Sequence, residues 1–110
     1  MLVIKFGGSS VSTPKRVKAV ADIVGSLQKK NKKSGVVFSA FGGVTDDLIN
    51  MSKLAAARDE EYLEKFHKIR ERHVQAIQEL GLRKDKVLHD FIEDIFAELH
   101  DILHGVFLVR

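Results

Sequence analysis

A lysine, two glycines and two serines follow one another near the start of the chain, in the sequence Lys5-Phe6-Gly7-Gly8-Ser9-Ser10. A lysine among apolar residues is costly to bury unless an anion meets it, so Lys5 is expected to face a ligand. Gly7 and Gly8 let the backbone turn sharply and approach a bound group, while hydroxyls and unpaired amides suit phosphate oxygens. The stretch therefore predicts a phosphate-binding turn, although its spacing is neither that of Walker A nor G-x-G-x-x-G. The alternative is an ordinary tight turn beside a lysine whose ammonium reaches solvent.

A second pair of glycines, Gly42 and Gly43, follows a second apolar run. Residues 36–40 are rich in β-branched side chains, which is typical of a buried strand. If the two strands are parallel, both glycine turns lie at the edge where open α/β sheets bind ligands. Ser39 and Thr45 are then candidates for contact with an anionic substrate. The alternative roles are a small strand-end residue for Ser39 and a helix cap for Thr45, and we expect Thr45 to cap in either case.

The two turns require a strand–helix–strand unit to position them. Thr13 and Pro14 form a helix start signal, and apolar residues at helical spacing continue from about 14 to 31. The flanking apolar runs predict strands buried on both faces, joined in parallel by a right-handed crossover. This βαβ unit covers about residues 1–57, including a further helix that begins near Asp46 and Asp47.

The remainder of the chain predicts a helical excursion over about residues 58–105. Apolar residues at helical spacing run through 59–80 to Gly81 and through 84–104 to Gly105, which favours an antiparallel helical hairpin ended by glycines. Residues 106–109 form a short strand-like run. The predicted fold class is α/β, mostly helical with two or three short strands, and 1–110 is interpreted as a single, incomplete portion of one domain.

Composition excludes several classes of function. The 110 residues contain no cysteine, carry a formal charge of +3 and are 45% hydrophobic and 30% charged, as in ordinary globular proteins. No apolar run approaches the length of a membrane helix, and the few apolar residues before Lys5 are too short for a signal peptide. We expect a cytoplasmic protein with no membrane partner.

Two clusters of ionisable residues have simple explanations. His100 and His104 have the spacing of a helical metal pair, but no glutamate follows His100, and we predict no protein-built metal site. A lysine cluster lies where cations favour a helix C-terminus, and no aromatic residue interleaves it, so we expect no nucleic-acid partner. Its members are Lys29, Lys30, Lys32 and Lys33.

Together, Lys5-Phe6-Gly7-Gly8-Ser9-Ser10-Val11 and the segment Val36-Val37-Phe38-Ser39-Ala40-Phe41-Gly42-Gly43-Val44-Thr45-Asp46 resemble the opening of aspartate kinases, members of the amino-acid kinase superfamily. The resemblance covers the whole chain in layout, because that family also follows its second turn with a helical excursion. The stretch Ile102-Leu103-His104-Gly105-Val106 is similar to the corresponding region of bifunctional aspartate kinase–homoserine dehydrogenases.

The resemblance implies an amino-acid kinase-type fold and transfer of the γ-phosphoryl group of ATP to the β-carboxylate of L-aspartate, with Mg²⁺ held mainly by the nucleotide. This reaction opens the biosynthesis of lysine, threonine and methionine. By resemblance, Lys5 would be the catalytic cation and would bind the nucleotide phosphates with Gly7, Gly8 and Ser9. Ser39 and Thr45 would lie beside the aspartate. Ser9 stands where threonine is frequent in the family.

The resemblance also implies an N-terminal portion of a larger, homo-oligomeric enzyme, so we expect the 110 residues alone to be inactive and to associate through exposed strand edges. Another superfamily member, such as an N-acetylglutamate kinase, is the first alternative. A basic helical binding module that uses the lysine cluster is the second, and it leaves Lys5 and both glycine turns without a role.

Overall fold

The computed structural model describes residues 2–30 and 33–109. In this part the chain forms β1 (Leu2–Phe6), α1 (Pro14–Lys30), β2 (Ser34–Phe38), α2 (Val44–Ala56), α3 (Glu61–Glu79) and α4 (Lys86–Val109). Packing groups the chain into a first unit, Met1–Val44, and a second unit, Thr45–Arg110. Lys32, one member of the predicted lysine cluster, lies outside the described residues.

The first unit contains the predicted βαβ arrangement. Strands β1 and β2 pair in parallel, in a register that runs from Leu2 opposite Ser34 to Phe6 opposite Phe38. Helix α1 begins where the Thr13-Pro14 signal predicts, because the Arg16 amide donates to the Thr13 side-chain oxygen at 3.2 Å. The parallel βαβ prediction is confirmed, and it brings the C-terminal ends of both strands to one edge of the sheet.

The prediction that both strands are buried on two faces is wrong for this chain. Phe6 stacks on Phe38 with ring centroids 5.8 Å apart, and Phe38 shares a groove of about 340 Å³ with α1, so the two rings lie on the α1 side of the sheet. Even there Phe38 is 57% exposed, and Val37 on the other face is 51% exposed. A single helix can cover only one face of a two-stranded sheet, so burial of both faces of these strands would need further elements.

In the second unit, α3 and α4 form the predicted antiparallel hairpin. The Phe66 and Phe96 rings meet edge to face at 5.9 Å, and Tyr62 contacts Phe107 at 5.5 Å, so residues late in α4 lie beside residues early in α3. Helix α2 contributes Met51, which is fully buried in the same core. The buried members of this core are Met51, Ala55, Tyr62, Phe66, Ile69, Phe96 and Leu103.

The two glycines predicted to end these helices behave differently. Gly81 follows Leu80, the C-cap residue of α3. Its φ is +75°, the left-handed conformation that glycine adopts without strain. Gly105 lies inside α4, which continues to Val109, so both the predicted helix end at Gly105 and the predicted strand over 106–109 are wrong. The reason is packing, because Phe107 contacts Tyr62 and thereby favours the helical continuation.

One side of α4 remains open to solvent within this chain. Val87, Phe91, Ile102 and Val109 are 81%, 60%, 57% and 81% exposed, respectively.

Among residues 2–30 and 33–109, the helices fall short of the combination of length and apolar character needed to cross a membrane.

Candidate functional site

The first glycine turn is a hydrogen-bonded loop between β1 and α1. The Ser10 amide donates to the Gly7 carbonyl at 3.0 Å, which closes the turn over Gly8 and Ser9. The Ser9 carbonyl accepts two side-chain hydrogen bonds, from the Ser12 hydroxyl and from the Arg16 guanidinium, each at 3.0 Å. The loop is therefore held by its own hydrogen bonds and by one from Arg16 of α1.

This turn leaves groups available to an anion. Within the described residues, the amides of Gly8 and Ser9 donate to no acceptor, and unpaired amides in a glycine turn are suited to bind phosphate oxygens. Lys5 is exposed and lies one residue before the end of β1. Strand alternation puts Lys5 on the face opposite the Phe6–Phe38 stack, away from α1.

The second glycine turn packs directly against the first. The Val44 amide donates to the Phe41 carbonyl at 3.0 Å, and Gly43 has φ of +84°. A Cβ atom built on Gly42 would stand 3.1 Å from the Ser12 Cβ and 3.3 Å from the Gly8 carbonyl oxygen. A Cβ on Gly8 would stand 3.7 Å from the Gly42 Cα. A side chain at position 42 would therefore force one of these neighbours to shift by a few tenths of an ångström.

The two candidate substrate residues occupy different places. Ser39 is exposed directly after β2, and its amide donates to the Phe6 carbonyl at 3.0 Å, which ties it to the end of β1. Thr45 is exposed in the first turn of α2 and belongs to the second unit. The prediction that Thr45 caps this helix is wrong, because α2 begins at Val44 and Thr45 is already inside it.

Sequence reasoning missed Ser12 and Arg16. Both lie beyond the glycine motif: Ser12 contacts the turn from the loop before α1, and Arg16 contacts it from the first turn of α1. The available signal was the helix start at Thr13 and Pro14, since an arginine in the first helical turn can reach the loop that precedes the helix.

The histidines of the second unit form aromatic contacts. His100 and His104 stack with centroids 6.2 Å apart, and His100 also meets the Phe66 ring edge at 5.4 Å. Across the described ranges 2–30 and 33–109, no three histidine or acidic side chains come together as a metal-binding group.

With this geometry in place, comparison with known proteins identifies the family. The family model described as "Amino acid kinase family" matches residues 1–103. The chain belongs to the amino acid kinase family. The family-level part of the resemblance is thus confirmed, and a parallel βαβ unit followed by helices is the corresponding portion of its fold.

The similar curated proteins are aspartokinases and bifunctional proteins. "Bifunctional aspartokinase/homoserine dehydrogenase 2, chloroplastic" of Zea mays is 36% identical over 100 residues, which is 91% of this chain and 10% of the maize protein. "Aspartokinase" of Chlamydia trachomatis is 36% identical over 104 residues, or 88% of this chain and 22% of that protein. "Aspartokinase 2, chloroplastic" of Arabidopsis thaliana is 31% identical over 111 residues, or 98% of this chain and 19% of that protein. The chain thus spans about a tenth to a fifth of the length of these relatives.

Proposed function

We propose that this chain forms the N-terminal part of the catalytic domain of an aspartate kinase, which transfers the γ-phosphoryl group of ATP to the β-carboxylate of L-aspartate. The observation that carries the proposal is the contact between the two glycine turns, where Gly8 lies against Gly42. This contact joins the turn after Lys5 to the turn after Ser39, so one edge of the sheet offers groups for a phosphate beside a hydroxyl for a second substrate. The aspartokinase names of the relatives support the same substrate.

In this proposal the first turn binds the nucleotide phosphates. The exposed Lys5 ammonium and the unpaired amides of Gly8 and Ser9 are suited to phosphate oxygens, and the small Gly7 allows close approach. Lys5 stabilises negative charge on the phosphoryl group as it moves between oxygens. Phosphoryl transfer depends on positioned cations and amides more than on covalent chemistry by the protein, so this set of groups is chemically sufficient for that half of the site.

In the same proposal, Ser39 and Thr45 each contribute to the binding of aspartate. A hydroxyl at the end of β2 and another in the first turn of α2 can each donate to a carboxylate, and a helix N-terminus favours an anion. Asp46, in the same turn of α2, adds a negative charge there and opposes the binding of an anionic substrate. Mg²⁺ would arrive with the nucleotide and neutralise the phosphates.

We further propose that the 110 residues alone do not catalyse the reaction. The described sheet has two strands, and the matched region is 22% of the Chlamydia trachomatis aspartokinase, so most of such an enzyme lies outside the match. The enzyme that contains these residues is proposed to be a cytoplasmic homo-oligomer that serves the biosynthesis of lysine, threonine and methionine.

The test uses the full-length protein that contains these residues. We expect ATP-dependent formation of an acyl phosphate from L-aspartate, trapped with hydroxylamine as the hydroxamate, and none from N-acetylglutamate. Lys5→Met is expected to lower kcat by about 10²- to 10³-fold, because it removes one preorganised charge from the transition state. Lys18 is also an exposed lysine, on α1, and the control variant Lys18→Met should leave kcat unchanged.

Two results would contradict the proposal. Hydroxamate formed from N-acetylglutamate and not from aspartate would reassign the substrate within the family. Equal kcat values for the wild type and Lys5→Met would show that Lys5 has no catalytic role. Aspartate- and ATP-dependent turnover by the purified 110-residue polypeptide would overturn the separate proposal that this part is inactive alone.

A further inference from the structure

The Ser9 carbonyl in the first glycine turn is the acceptor of two side chains. The Ser12 hydroxyl and the Arg16 Nη1 each donate to it at 3.0 Å. A carbonyl oxygen has two lone pairs, so these donors satisfy it completely. One donor is a guanidinium, and hydrogen bonds from charged donors are the stronger kind.

This arrangement matters because the same turn presents amides to an anion. A peptide group that offers its N–H to a phosphate must keep neighbouring carbonyl oxygens away, since their partial negative charge repels the ligand. Arg16 and Ser12 hold the Ser9 carbonyl on the α1 side of the loop and cancel part of its charge. The amides of Gly8 and Ser9 are left without an acceptor among the described residues.

We infer that Arg16 is a positioning residue for nucleotide binding, which acts through the Ser9 carbonyl. The inference rests on the proposed function, because it assigns the nucleotide phosphates to the first glycine turn. Arg16 is exposed, and its capping hydrogen bond to Thr13 uses its backbone amide and not its side chain. A side-chain substitution at Arg16 therefore leaves the start of α1 intact.

The experiment compares Arg16→Met, Arg16→Lys and the control Lys15→Met in the full-length protein. Arg16→Met is expected to raise the KM for ATP about tenfold, the size expected for loss of a hydrogen bond from a charged donor. The KM for aspartate and the melting temperature should stay at wild-type values. Arg16→Lys keeps a charged donor and should recover part of the loss. Lys15→Met removes an exposed charge from the same helical turn and should leave both KM values unchanged.

Hydrogen exchange at Ser10 provides a readout that does not depend on activity. The Ser10 amide donates to Gly7 across the turn, so release of the Ser9 carbonyl in Arg16→Met should accelerate its exchange, whereas Lys15→Met should not.

Four results would overturn the inference. They are a wild-type KM for ATP in Arg16→Met, an equal rise in Lys15→Met, a rise in both KM values with a lower melting temperature, and unchanged Ser10 exchange. If the wild-type protein does not phosphorylate aspartate, the proposed function fails. Faster exchange of the Ser10 amide in Arg16→Met would still support the positioning of the Ser9 carbonyl by Arg16.

Discussion

Replacing Gly42 with alanine tests the contact between the two glycine turns. The added methyl group would stand 3.1 Å from the Ser12 Cβ and 3.3 Å from the Gly8 carbonyl oxygen, both closer than ordinary van der Waals contact. Neither neighbour yields easily, because the Ser12 hydroxyl is bonded to Ser9 and Gly8 lies within the turn closed by Ser10 and Gly7. Overpacking of this kind typically costs about 1–3 kcal/mol.

If the strain raises the activation free energy by about 1.4 kcal/mol, the rate falls tenfold. We therefore expect Gly42→Ala to lower kcat/KM of the full-length enzyme by about tenfold or more, and to lower its melting temperature by a few degrees. The matched control is Gly25→Ala in α1, where the new methyl group meets no atom within 4 Å. That variant should retain full activity and melt at the wild-type temperature or slightly above it.

Ser12→Gly provides the second half of the test, because it removes the atom nearest to the new methyl group. The double variant Gly42→Ala with Ser12→Gly should lose less activity than the sum of the two single losses, which a double-mutant cycle measures directly. Strict additivity in that cycle, or a Gly42→Ala enzyme as active as Gly25→Ala, would refute the claim that the two turns are held in contact.

Three further predictions concern the stability and assembly of the 110-residue polypeptide. Gly105→Ala should raise the free energy of unfolding by about 0.5–1 kcal/mol, because alanine suits a helix interior and its methyl group would meet no atom within 4 Å apart from the nearby backbone of its own helix. Gly81→Ala should lower the free energy of unfolding by about 1–2 kcal/mol, because φ is +75° there. Urea denaturation compares the two variants, and equal effects would contradict the explanation. In the same assay, Phe96→Ala should lower the free energy of unfolding by about 3–5 kcal/mol and Phe91→Ala by less than about 1 kcal/mol. The reason is that Phe96 is 6% exposed and Phe91 is 60% exposed. Similar losses of stability in the two variants would show that the core is wrongly assigned. The polypeptide should self-associate through the exposed edges and faces of its two-stranded sheet, and a monomer in concentrated solution by sedimentation would contradict this.

Periodicity and capping signals were sufficient to predict most of the helices. Helix α1 starts where Thr13 and Pro14 indicate, and the apolar spacing through 59–80 gives α3 to within a few residues. The parallel pairing of β1 and β2 also followed from the sequence, because two short apolar runs joined by one helix have few other arrangements.

Properties that depend on neighbouring elements could not be predicted in the same way. An apolar strand such as 36–40 predicts burial, but burial requires a covering layer, and the exposure of Val37 shows that the described residues do not cover that face. Gly105 carries the same local signal as Gly81. The packing of Phe107 on Tyr62 favours a helix interior at Gly105, and this contact cannot be read from the local sequence.

The candidate site shows the same division. Lys5 and the glycine pairs belong to short continuous stretches of sequence, and their residue types predict the binding of an anion. Ser12 and Arg16 act through a single carbonyl oxygen, and no residue pattern specifies which carbonyl a side chain will reach.

The short connection between α3 and α4 has a consequence for how the chain acquires its structure. α3 ends at Glu79 and α4 starts at Lys86, so the contacts of this hairpin that lie next to the connection close a small loop with little loss of chain entropy. Pairing of Leu2 with Ser34 must instead close a loop that contains the whole of α1. Since chains rich in local contacts fold faster, we expect the helical hairpin to form before the sheet. We therefore expect the edge that carries the proposed chemistry to form after the helical hairpin.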